Sequence, residues 1–156
     1  MKRMFSKRIV DADRFLDLPP AARLLYFELN LRCDDDGFCS GPKTILRMTG
    51  AGKGDLQALR DAGLILDFDG IVVITDWRIH NCLRADRLQP LSFPSLAEKI
   101  WITEDGSYAT EPKPNAMNLL TYRRRFAETH SDPLREMRLK RSEISGFPCD
   151  SQDRIG

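Results

Sequence analysis

Apolar residues crowd one stretch of the chain at helical spacing. Ala21, Leu24, Leu25, Phe27, Leu29 and Leu31 fall so closely together that little of the circumference stays polar. This predicts a central core helix buried on most of its sides. Upstream, Asp11 or Asp13 is positioned to cap a short helix running to Leu18. Pro19 then stops that helix, and Pro20 suits the first turn of the core helix.

The pattern changes after Arg32. Asp34-Asp35-Asp36-Gly37 reads as a turn, and Phe38-Cys39 as a brief extended piece. Pro42 opens a third helix carrying Ile45, Leu46 and Met48. Thr49 to Gly52 is a turn, and Asp55 to Ala62 a fourth helix, with Leu56 and Leu59 inward and Gly63 as its stop. Leu64-Ile65-Leu66 and Ile71-Val72-Val73-Ile74 are apolar runs of strand length, the second extended through Trp77. Between them, Asp67-Phe68-Asp69-Gly70 ends in the Asp-Gly pair of a tight hairpin.

Two helices joined by a short glycine-containing turn make a helix-turn-helix unit, and a hairpin directly after it makes a wing. The expected fold is therefore α+β and mostly helical: a winged helix-turn-helix domain over residues 5–87. Residues 88–114 read as a connector with a short helix at Ser95–Trp101 and a turn and short strand at Glu104–Tyr108. Residues 115–156 read as a basic, partly ordered helical extension and a frayed tail from Phe147-Pro148. In that extension Leu119, Tyr122 and Phe126 share one helical face, and Leu134, Met137 and Ile144 another.

Bulk properties narrow the partners. No apolar run reaches the ~18 residues of a membrane span, and the basic start Met1-Lys2-Arg3-Met4-Phe5 is not followed by the apolar core of a secretory signal. The expected location is cytoplasmic, with no membrane partner. Cys33, Cys39, Cys82 and Cys149 contain no Cys-x-x-Cys pair, so they read as free thiols and not as a metal site. Net charge is only +1, which argues against coating nucleic acid by charge alone. The distribution is uneven: residues 123–141 hold 7 basic and 3 acidic groups, against 14 and 13 in residues 1–90. The run Arg123-Arg124-Arg125 with Arg135, Arg138, Lys140 and Arg141 reads either as a second nucleic-acid contact or as the polar faces of two packing helices.

Several stretches together resemble a known family. They are Arg3-Met4-Phe5-Ser6, Asp13-Arg14-Phe15-Leu16-Asp17-Leu18-Pro19, Leu25-Tyr26-Phe27, the aspartate turn with Phe38, Pro42-Lys43, Trp77-Arg78-Ile79-His80-Asn81 and Arg84-Ala85-Asp86-Arg87. The similarity continues through Glu98-Lys99 and Asp105-Gly106-Ser107-Tyr108 and covers roughly residues 3–108. This set resembles the N-terminal domain of phage replisome organisers, related to the DnaD-like primosome proteins. The resemblance implies a winged helix that binds a replication origin or assembles a replisome, often as an oligomer. Residues 110–156 do not share it, and 156 residues are expected to be too few to hold the helicase-engaging second domain of longer members.

In helix-turn-helix proteins the second helix enters the major groove with its N-terminal residues at base edges. Here that helix offers Lys53, Gln57 and Arg60; Gln57 suits adenine and the two cations suit phosphate or guanine. Lys43 and Arg47 on the preceding helix would meet the backbone. Asp55 reads as that helix's cap. Arg78, His80, Asn81, Arg84 and Arg87 form a second cluster beyond the wing, read either as a DNA contact or as a solvated face with a structural Trp-His-Asn corner. Asp67 and Asp69 at the wing tip oppose phosphate and suit a protein contact instead.

Catalytic motifs fail on inspection. Gly50-Ala51-Gly52-Lys53-Gly54 has Arg47 where a phosphate loop needs glycine, and Gly54 where it needs Ser or Thr. An EF-hand register placing Gly37 sixth puts Arg32 at the first ligand position. His80 and His130 lie in different regions, and no catalytic triad can be assembled from spacing. The sequence reads as a binding module without cofactor or metal, not as an enzyme. Its expected partners are double-stranded DNA, with single-stranded DNA, self-association and replication proteins such as a helicase loader beside it. A protein-assembly module with weak DNA affinity and a winged-helix transcriptional regulator stand as alternatives.

Overall fold

The computed structural model describes residues 2–145, with side chains to residue 141. The frayed tail expected from Phe147, with Cys149, and the side chain of Ile144 lie outside the described residues. The fold is α+β, with helices predominating and two small antiparallel sheets.

Two single-turn helices, α1 (Lys7–Val10) and α2 (Asp13–Leu16), precede the core helix α3 (Pro20–Arg32). Neither expected aspartate caps a helix from Asp11 to Leu18. The chain breaks into two turns instead, with Asp11 closing α1 and Ala12 as N-cap of α2. Pro20 does open α3. Ala22, Leu25, Tyr26 and Leu29 of α3 are fully buried, but Leu24 and Leu31 are about half exposed, at 49% and 53%. The burial expected on most sides of α3 is therefore narrower, on the sides where α4, α5, Phe5 and Phe15 pack.

Strand β1 (Phe38–Ser40) follows the aspartate turn, and then helices α4 (Pro42–Thr49) and α5 (Lys53–Asp61). Strands β2 (Ile65–Phe68) and β3 (Ile71–Ile74) form the hairpin, and β3 pairs with β1 on its other edge, giving the order β1-β3-β2. Phe68 pairs with Ile71, so Asp69 and Gly70 alone make the turn, both at positive φ (49° and 88°). Such a two-residue turn matches the twist of the strands it joins, which is why Asp-Gly marks it.

The third sheet strand stops before Trp77. Trp77–His80 is a helical turn, α6, and not the expected extended continuation. The reason lies in its side chains: Trp77 and His80 both face inward, a spacing of three that a strand would place on opposite faces. A 3-10 turn (Ala85–Arg87) and α7 (Pro94–Ala97) lead to a second sheet of two-residue strands, β4 (Trp101–Ile102), β5 (Tyr108–Ala109) and β6 (Met117–Asn118), in the order β5-β4-β6. Helices α8 (Leu119–Thr129) and α9 (Pro133–Ser145) complete the described chain. Asn118 caps α8 by accepting the N–H of Leu120 (3.0 Å), and Leu119, Tyr122 and Phe126 are buried on one face as their spacing predicts.

One buried cluster runs from Ile9, Leu25 and Val73 through Ile100, Ile102 and Tyr108 to Leu119 and Tyr122. The sheets are tied directly where Tyr108 donates its N–H to the Thr75 carbonyl at 2.7 Å. Among the described residues no helix is long and apolar enough to cross a membrane.

Candidate functional site

The aspartate turn is the structural centre from which the charged side chains are sorted. Asp34 Oδ1 accepts the N–H groups of Asp36 and Phe38, both at 2.9 Å, so the side chain itself shapes the turn. Gly37 closes it at φ +87°, and a Cβ there would stand 2.6 Å from Trp77 Cγ. Only glycine fits that approach.

Four distant segments converge on this turn. Arg3 donates to the Cys33 carbonyl (2.6 Å), pairs with Asp35 (3.5 Å) and stacks over Trp77. Trp77 Nε1 donates to the Asp35 carbonyl at 2.9 Å. Arg78 donates to the same carbonyl and to the Asp36 carboxylate, and its guanidinium lies over Tyr122. Tyr108 donates its hydroxyl to the Asp36 carbonyl (2.7 Å), and Arg123 stands 3.5 Å from the Asp36 carboxylate while donating to the Gln89 carbonyl. Burial pushes the Asp36 carboxyl above its ordinary range, and the Arg78 and Arg123 charges pull it back.

A second buried knot adjoins it. Asp76 pairs with Arg14 (2.6 Å) and accepts the Ser107 hydroxyl (3.0 Å). His80 Nδ1 accepts the Ser6 N–H at 2.9 Å, so in the neutral ring the proton sits on Nε2, facing Tyr26 Oη at 2.6 Å. Burial pushes His80 down to about 4. Asn81 Oδ1 accepts the Met4 N–H at 3.1 Å. The segment 3–6 is thereby held to α6 and the aspartate turn.

These contacts correct part of the expected surface. Arg78, His80 and Asn81 are interior groups, bonded through Arg78 to Asp36, through His80 to Ser6 and through Asn81 to Met4; the structural Trp-His-Asn corner is what the chain builds. Of the cluster beyond the hairpin only Arg84 and Arg87 remain exposed, both beside Asp86, whose carboxyl the Arg84 hydrogen bonds hold below its ordinary range. The arginine run is split as well. Arg123 is buried, Arg138 donates to the Glu104 carbonyl (2.7 Å) and Arg141 pairs with Glu104, while Arg124, Arg125, Arg135 and Lys140 are exposed.

On α5 the expected reading residues are partly engaged. Arg60 pairs with Asp67, two residues before the Asp69-Gly70 turn, and donates to Gln57 (3.0 Å), while Gln57 donates to Asp61 (2.7 Å). Asp67 is thus a brace between α5 and β2. Asp55 accepts the Gly52 N–H at 2.9 Å, closing the first turn of α5 from its third position and not from the cap itself. Lys43, Arg47 and Lys53 differ from Gln57 and Arg60. They are exposed, and their side chains have no hydrogen-bond or ion-pair partner among the described residues.

No group of three or more His, Cys, Asp or Glu side chains among the described residues could hold a metal ion. No protein-family model, curated protein or solved structure matches the chain.

Proposed function

We propose that this protein binds duplex DNA through a winged helix-turn-helix over residues 5–87, in replication initiation of the phage replisome-organiser type. The observation that carries this reading is the unpartnered cation set Lys43, Arg47 and Lys53 on two consecutive helices. The element order α3-β1-α4-α5-β2-β3, with strand order β1-β3-β2, supports it. So do the Asp-Gly hairpin and the residues quoted for the family resemblance. In this reading α5 lies in the major groove with Lys53 at its entrance, and Lys43 and Arg47 meet the flanking phosphates. Gln57 and Arg60 reach base edges only by exchanging their bonds to Asp61 and Asp67.

The test is an anisotropy titration of duplex and single-stranded DNA at several salt concentrations. Salt-dependent duplex binding that weakens in a Lys43→Ala/Arg47→Ala/Lys53→Ala protein supports the reading. Binding that is unchanged in that variant removes the assignment to this face. A second reading, a protein-assembly module, draws on the exposed Leu24 and Leu31 of α3. It is favoured if no DNA binds and light scattering shows a discrete oligomer.

A further inference from the structure

Four exposed side chains join α5 to the hairpin. Gln57 donates its amide N–H to the Asp61 carboxylate at 2.7 Å, and its Oε1 accepts from Arg60 Nη1 at 3.0 Å. Arg60 Nη2 in turn pairs with Asp67 Oδ2 on β2. The chain reverses at Gly63 (φ 72°), and Leu64 donates its N–H to the Leu59 carbonyl at 3.0 Å, which brings β2 alongside the end of α5. Asp67 carries two duties on separate oxygens, since its Oδ1 accepts the Gly70 N–H at 3.2 Å in the hairpin turn. Both ends of the Gln57 amide and both Nη atoms of Arg60 are thus engaged inside one relay. We infer, resting on the proposed duplex binding, that Asp67 determines sequence specificity by holding Arg60, and through it Gln57, in a relay that only matching base edges open.

The chemistry of the possible partners separates them. A phosphate oxygen can replace Asp67 as an acceptor for Arg60, but it brings no donor for Gln57 Oε1. Base edges bring both kinds of group. Guanine O6 and N7 accept from an arginine, and adenine sets a donor N6 beside an acceptor N7 for a glutamine. The bonds lost on opening the relay are therefore replaced in full only where such edges face α5. Over other sequences Arg60 stays on Asp67, and the Asp67 carboxylate adds like-charge repulsion to phosphate. Asp67 is a positioning residue in this scheme, acting through Arg60. Asp67→Asn separates its two duties, because an amide keeps an oxygen for the Gly70 N–H and loses the charge that holds Arg60. Asp69→Asn is the matched control. It removes the same charge from the turn, Asp69 has no bond to Arg60 among the described residues, and asparagine tolerates the φ of 49° there.

The test uses the full chain and a pool of DNA duplexes with a randomised centre. Affinity for the pool is read by anisotropy, sequence preference by sequencing the bound fraction, and folding by a thermal melt of each variant. Asp67→Asn is expected to bind the pool about fivefold more tightly than the wild type, the scale of one exposed ion pair, and to select a less constrained set of sequences. Asp69→Asn should tighten binding less and keep the wild-type preference. In an Arg60→Ala background, adding Asp67→Asn should change binding no more than Asp69→Asn does. Three results would overturn the inference and leave duplex binding in place: equal effects of Asp67→Asn and Asp69→Asn, an Asp67→Asn effect that survives Arg60→Ala undiminished, or a lower melting temperature with sequence preference unmoved. If neither the wild type nor Asp67→Asn binds the pool, the proposed function itself falls, and the inference with it.

Discussion

Around the aspartate turn, Arg3, Arg78 and Arg123 are drawn inward and each ends on a group of Cys33–Asp36, whereas on α4 and α5 Lys43, Arg47 and Lys53 stay in solvent without a partner. The residue types are the same kind in both places. What differs is geometry: the turn presents carboxylates and bare carbonyls to side chains arriving from other elements, whereas on α5 the carboxylates of Asp55 and Asp61 are taken up by the Gly52 N–H and by Gln57. Charge count along the chain does not separate structural cations from those left for a ligand. Partner inventory in the folded chain removes Arg3, Arg78 and Arg123 from the set and leaves Arg124, Arg125, Arg135 and Lys140 in solvent alongside Lys43, Arg47 and Lys53.

The largest expected effect comes from breaking the interior set. Arg78→Ala leaves the Asp36 carboxylate buried beside Arg123 alone, and removing one member of a buried pair costs about 3–5 kcal/mol. Urea denaturation should show this as a large fall in midpoint. A loss under about 1 kcal/mol would mean that the turn does not depend on its arginine.

The next effect is on pH. His80 sits at about 4 in the folded chain against 6.5 when unfolded, so the unfolded state takes up the proton first as pH falls. Its contribution is present in full above pH 6.5 and is lost through the window down to about 4. That loss amounts to roughly 3 kcal/mol. Denaturation midpoints at pH 7 and pH 4.5 check it, with His80→Gln expected to flatten the dependence.

Gly37→Ala is expected to cost about 2 kcal/mol or more, since the residue must hold positive φ and its Cβ would overlap the Trp77 ring. A thermal melt of this variant tests whether the approach of Trp77 is as tight as the geometry requires. The smallest change in stability belongs to the outer face. Lys43→Ala, Arg47→Ala and Lys53→Ala should each leave folding unchanged within about 0.5 kcal/mol. Under the proposed function each lost phosphate contact flattens the log–log salt dependence of DNA binding by about 0.9. A variant that loses stability instead belongs with the interior set, and the comparison fails at that residue.

Much of the architecture is legible from short-range pattern. Pro20 and Pro42 open helices where their fixed φ suits a first turn, Asp69-Gly70 makes the hairpin turn, and Leu119, Tyr122 and Phe126 share a buried face. The break between α1 and α2 was not legible, because two one-turn helices leave no periodicity to read. The Trp77–His80 turn was hidden for a related reason: four residues after a strand are too few to show either period.

The candidate site was legible only in part. Lys43, Arg47 and Lys53 could be placed outward from the helix pattern. The inward turn of Arg78, His80 and Asn81 could not, since their partners lie 42, 54 and 77 residues away at Asp36, Tyr26 and Met4. One signal was available: Trp77 and His80 at a spacing of three fit one face of a helical turn. By itself the sequence determined the order of the longer elements from α3 to the hairpin, the turn chemistry and which cations stand on helix faces, because those follow from dihedral preference and periodicity within a few residues. Which charges are consumed by the fold was decided only by tertiary structure, because a buried guanidinium is satisfied by whichever carboxylate or carbonyl the folded chain brings within reach.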